Sequence, residues 1–115
     1  MSRQRGSRTA ARPRGRALVF AALGDGTRLR LVAKLCAGQP LSISQLTAGS
    51  GLTRQAITKH LRVLERVEIV RSVRAGRENL FAFDPQPMEE IRTYLDQVSG
   101  QWDRTLARLK KFVER

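Results

Sequence analysis

Thr53, Arg54, Gln55, Thr58, Lys59 and Arg62 lie in the stretch TRQAITKHLRVLER (53–66), and at helical period they project from one face. Ala56, Ile57, His60, Leu61 and Leu64 form the opposite stripe. The polar face holds no acid; a carboxylate arrives only at Glu65, near the end. Helices that simply face solvent mix Glu with Lys and Arg, because oppositely charged pairs four apart stabilise by a few tenths of a kcal/mol and favour solubility. Donors and fixed positive charge without that compensation suit contact with a polyanion. In the major groove of duplex DNA, Arg pairs with guanine O6 and N7, Gln with adenine N6 and N7, and a Thr methyl packs on thymine. Arg54, Gln55 and Thr58, on the first turns, are therefore the candidate base readers. Lys59, Arg62, the Thr53 hydroxyl and the backbone N–H groups at this helix start suit phosphates.

Catalytic chemistry finds no comparable grouping. His60 is the one histidine and lies on the inward stripe, where a core or hydrogen-bonded role is expected. Paired carboxylates and Gly-rich phosphate loops are missing, so an enzyme, a metal and a cofactor are not expected. The single Cys36 forms no internal disulfide, fits a reducing cytoplasm and is read as a small core hydrophobe.

Composition agrees with an anionic partner. The 115 residues suffice for one domain, and 22 Lys and Arg against 10 Asp and Glu give a net charge of +12. Residues 1–16 hold six Arg and no acid, and the other half of the charge, +6, falls on residues 17–115. Residues 1–16 read as a flexible basic arm, and no apolar run approaches the roughly 18 residues of a membrane span.

The elements that must position the basic face follow in order. Ala17 to Leu23 form a short apolar segment stopped by Gly24, and Asp25 caps a helix to about Ala37 with Leu29, Val32, Leu35 and Cys36 as its apolar stripe. Ser42 and Gln45 match a capping box opening a short helix. Ser50-Gly51 gives a turn, Thr53 caps the next helix, and Leu52 packs on Ile57 as a staple. Val67, Ile69, Val70 and Val73, then Leu80 to Phe83, read as a β-hairpin with Arg74-Ala75-Gly76-Arg77 at its tip, closed by Asp84-Pro85. A hairpin directly after such a helix makes a winged helix-turn-helix, mainly α. From residue 87 to about 113, Met88, Ile91, Leu95, Val98, Trp102, Leu109 and Phe112 recur at heptad spacing, with only Thr105 breaking the series. One small domain covers only part of that seam, so a homodimer is expected through the terminal helices, with Leu18, Ile91, Leu95, Val98, Trp102 and Leu109 in the interface.

These segments resemble the ArsR-type winged-helix transcriptional repressors over nearly the whole chain from Ala17. ALGDGTRLRL is similar to the family's ALxDxTRxxIL, LTRQAITKHLRVLE to LSxxxxSxHLxxLxxxGLV, and AGRENLFAFDP to the wing GRxxxYxL. QWDRTLARLKKFVE resembles a branch whose last helix carries a Trp followed by RL-type repeats. Where the metal-sensing branches place paired Cys, this chain has Ser42 and Ser44, and its last helix has no His, so metal sensing is not implied. Gly26 stands where Pro is common, and Glu68 where Gly is common.

The resemblance implies a cytoplasmic homodimeric repressor that binds an imperfect inverted repeat of double-stranded DNA through residues 53–66 and the wing 74–77. Arg74 and Arg77 are expected at the flanking backbone or minor groove. The competing reading is a winged-helix module for protein interaction or RNA. Neither the operator nor any small-molecule inducer is readable from the chain.

Overall fold

The computed structural model describes residues 13–114; the twelve residues before them, most of the expected arm, lie outside that range. The elements are α1 (Pro13–Leu23), α2 (Gly26–Cys36), β1 (Leu41–Ser42), α3 (Ile43–Thr47), α4 (Arg54–Arg66), β2 (Val70–Ala75), β3 (Glu78–Phe83) and α5 (Pro85–Val113). A winged helix-turn-helix is thus present as expected, with two boundaries moved. Helix α1 already begins inside the stretch read as an arm. Helix α5 starts two residues before residue 87, because Asp84 accepts from the Gln86 N–H as N-cap and Pro85 occupies the first helical position, where its missing N–H costs nothing.

The core gathers Val19 and Ala22 of α1, Leu31, Val32 and Leu35 of α2, Leu46 of α3, Ile57, Leu61 and Leu64 of α4, then Ile69, Val70, Phe81 and Ile91. Helix α2 buries a different stripe from the one expected: Leu31 replaces Leu29 and Cys36, which are both exposed. Leucines at 29, 31 and 35 offer two overlapping helical stripes, and packing on α4 selects the second. Partial desolvation still pushes the Cys36 thiol above its ordinary pKa, so little of it is thiolate at neutral pH.

The hairpin belongs to a three-stranded antiparallel sheet in the order β1-β3-β2, with Leu41 opposite Phe81 and Ser42 opposite Leu80. Val70 and Phe81 anchor its base in the core, while residues 71–79 are exposed, so the tip stands clear of the body as a wing. Among the described residues no helix is long and apolar enough to cross a membrane.

Helix α4 ends in a Schellman arrangement. The Ile69 N–H bonds the Leu64 carbonyl and the Glu68 N–H bonds the Glu65 carbonyl, both at 3.0 Å. Glu68 occupies the left-handed position at φ 65°, the single non-Gly residue with positive φ among those described. That geometry explains why glycine is common here in the family that the sequence resembles.

Candidate nucleic-acid interface

The exposed face of α4 is set by what holds the helix from behind and from its start. Behind, Ile57, Leu61 and Leu64 have no accessible surface, so the rotation of α4 about its axis is fixed by three full burials. At the start, Thr53 Oγ1 accepts from the Ala56 N–H at 3.0 Å. The turn before it uses Gly49 and Gly51 at φ 75° and 77°, values that a side chain would strain. Helix α3, the other half of the motif, carries the expected reciprocal capping box: Ser42 N–H donates to Gln45 Oε1 at 2.8 Å and Gln45 N–H to Ser42 Oγ at 3.1 Å. Leu52, expected as a staple on Ile57, is partly exposed, and both residues line a depression beside this turn.

On the outward face, Thr53, Arg54, Gln55, Lys59 and Arg62 are exposed, and Thr58 is half-buried. Thr58 Oγ1 donates to the Arg54 carbonyl at 2.8 Å, so its hydroxyl proton is committed to its own helix and the methyl is the group left to offer. Arg54 is not loose: its Nη1 donates to Ser44 Oγ of α3 at 2.9 Å. Arg62 approaches Glu65 at 3.6 Å, and Glu65 Oε2 also accepts from Ser72 Oγ of β2 at 2.8 Å. Glu65 therefore partly neutralises Arg62 while pinning the wing to the end of α4. Lys59 forms no ion pair among the described residues.

Arg74 lies two residues beyond Ser72 and so projects from the same face of β2, the face turned toward α4. Its Nε donates to the Gly76 carbonyl at 3.2 Å, and Gly76, at φ 65°, makes the tight turn beside Arg77. Both arginines are exposed. The Ser72–Glu65 hydrogen bond joins β2 to the end of α4, and Arg74 and Arg77 stand at the turn end of that hairpin.

His60 sits on the inward side, where its Nδ1 lies 3.2 Å from Arg28 Nη1 and 3.9 Å from Asp25 Oδ1. Arg28 Nε in turn donates to the Ala22 carbonyl, so the cluster ties α4 to the α1–α2 junction. A single carboxylate, a guanidinium and one imidazole make a structural joint; no grouping of three or more potential metal ligands occurs among the described residues. Of the expected interface residues, Ile91 is buried within its own chain, Val98 is half-buried, and Leu95, Trp102 and Leu109 are exposed along α5. Leu18 borders a separate depression with Ala21, Val63 and Val67, while Phe20 meets Tyr94 of α5 at 6.2 Å between ring centroids. Two residues missed in the sequence, Ser44 and Ser72, hold Arg54 and Glu65; no helical or strand periodicity connects partners seven and ten positions apart across a turn.

Comparison with known proteins agrees with this arrangement. A family model described as a helix-turn-helix domain matches residues 23–73. An HTH-type transcriptional regulator of Mycobacterium tuberculosis is 32% identical over 93 residues, covering 81% of this chain and 83% of that protein. The structure of an ArsR-like transcriptional regulator from Rhodococcus sp. RHA1 superposes with a TM-score of 0.75 at 35% identity, over 85% of this chain and 92% of that one. A homodimeric winged helix-turn-helix DNA-binding domain from Mycobacterium bovis, a possible ArsR-family regulator, shares the fold at 22% identity, TM-score 0.63, over 88% and 91% of the two chains. These relatives are regulators of transcription rather than enzymes, and their likeness runs through the helix-turn-helix and the wing. By this fold and this similarity, the chain belongs to the ArsR-type winged helix-turn-helix transcriptional regulators.

Proposed function

We propose that the protein is a cytoplasmic homodimer that places two copies of α4 in the major groove of an imperfect inverted repeat and represses transcription by occluding a promoter. The acid-free face of Arg54, Gln55 and Lys59, on a helix whose opposite stripe buries Ile57, Leu61 and Leu64 completely, carries this reading. A helix fixed in rotation presents the same side chains to every site, and sequence readout requires that constancy. Arg54, Gln55 and Thr58 read bases; Thr53, Lys59 and Arg62 hold phosphates; Arg74 and Arg77 of the wing reach the flanking backbone or minor groove. Residues 17–115 form the DNA-binding and dimerising unit.

The dimer is supported by α5. Leu95, Trp102, Leu106 and Leu109 are exposed on a helix whose early Ile91 is buried in the core, and Trp102 is 60% accessible. A seam of that chemistry extending beyond the domain suits a second copy of itself, as in the homodimeric mycobacterial relative.

The test is equilibrium binding to a duplex enriched by the protein from a random library, compared with scrambled duplex of equal length. Specific regulators bind their sites at least about a thousandfold more tightly than random DNA. A ratio near one would replace this reading with general polyanion binding.

A further inference from the structure

We propose that Ser44 is a specificity-determining positioning residue: it orients the Arg54 guanidinium for base recognition without itself reading a base. The proposal deepens the assignment of Arg54 as a base reader and rests on it.

Ser44 is carried on a rigid support. Ser42, two residues earlier, is paired in the sheet opposite Leu80 and closes the capping box with Gln45. Leu46, two residues later, is completely buried, and Thr47 Oγ1 donates to the Ile43 carbonyl at 2.6 Å. The Ser44 hydroxyl therefore projects from a short helix fixed on both sides. Across the turn, Arg54 is the first residue of α4, where an arginine facing solvent would sample many rotamers. Its Nη1 instead donates to Ser44 Oγ at 2.9 Å.

A guanidinium has five N–H donors in a planar fork, and guanine recognition uses two of them on O6 and N7. One donor given to Ser44 leaves a full fork and fixes the plane in which it lies. Rotamer freedom surrendered in the free protein is not surrendered again on binding, so the contact favours the one base geometry that matches the fixed plane. Removing the hydroxyl leaves the charge of Arg54 untouched. Ser44 should thus govern discrimination between bases and leave attraction to the backbone unchanged, a separation that a purely structural or purely electrostatic role does not produce.

The test uses the full chain and the variants S44A, S44T, R54A and S44A/R54A. Each is titrated with the enriched duplex and with the same duplex altered at the base pair whose preference R54A relaxes. The expected result is an about fivefold loss of discrimination at that pair in S44A, an effect of the size of one exposed hydrogen bond. S44T, which keeps the hydroxyl, restores discrimination; the salt dependence is unchanged; and S44A adds nothing in the R54A background. Equal effects of S44A in both backgrounds, or none in either, overturn the role of Ser44 while leaving Arg54 as the reader. If R54A relaxes no base pair, the reading of Arg54 fails and Ser44 falls with it.

Discussion

At the scale of single residues, the polar joint behind α4 contributes to the pH dependence of stability. The Asp25 carboxyl is held below its ordinary pKa of 3.8, chiefly by the hydrogen bond from the Arg28 N–H, with desolvation opposing and the charges of His60 and Arg28 assisting. A lowered folded-state pKa contributes stability above the unfolded value, and that contribution disappears as pH falls through the folded value. Thermal midpoints measured across pH should therefore drop below about pH 4, and Asp25→Asn, which still caps the helix, should flatten that part of the profile. Glu68 offers a prediction of opposite sign. Its φ of 65° puts an L side chain in the left-handed region, so Glu68→Gly should stabilise the fold by about 1 kcal/mol in denaturant unfolding. The sequence could place His60 inward because its phase with Leu61 and Leu64 is unambiguous, but its partners, Arg28 of α2 and the Asp25 that caps it, carry no local signal. Cys36 and Leu29 were assigned to the core by a stripe that an adjacent leucine supplies equally well.

At the scale of elements, caps and burial fix where α4 points. Thr53→Ala removes the hydrogen bond to the Ala56 N–H and should cost about 1 kcal/mol of stability, with a parallel loss in DNA affinity as the first turn frays. Lys59→Ala leaves the packing intact; it should weaken binding to enriched and scrambled duplex alike and lower the salt slope by about 1. Binding isotherms at several salt concentrations separate it from Arg54→Ala, which should cost about 1 to 3 kcal/mol at one base position only. Both caps of the helix-turn-helix were legible because capping needs a side-chain oxygen at a fixed distance from the helix start, and Ser42 and Thr53 stand there. Strand β1 was not, since two residues have no alternation to read and their partners, Leu80 and Phe81, lie far along the chain beyond α3, α4 and β2.

At the scale of the whole molecule, the proposed dimer rests on α5. It is the longest element, at 29 residues, and its buried residues, Pro87 and Ile91, lie in its first turns. Gly100 near its middle would place a new Cβ 3.6 Å from Arg104 Nη1 of the same chain, so nothing within one chain demands glycine there. Dimerisation along this helix predicts that the thermal midpoint rises with protein concentration. Trp102→Glu should abolish that dependence and give a monomer in sedimentation equilibrium. The heptad period of α5 was readable from apolar spacing alone, whereas the seam's register with a second copy depends on a surface that one chain does not contain.

In the proposed dimer, two α4 helices related by the dimer axis would meet the groove about 34 to 36 Å apart, one turn of DNA, or a multiple of that spacing. Hydroxyl-radical footprinting of the enriched duplex tests this most directly. Two protected segments related by inverted symmetry, with centres about 10 base pairs apart or a whole number of turns apart, are the predicted result. A single asymmetric protected segment, or uniform protection along the duplex, would contradict it.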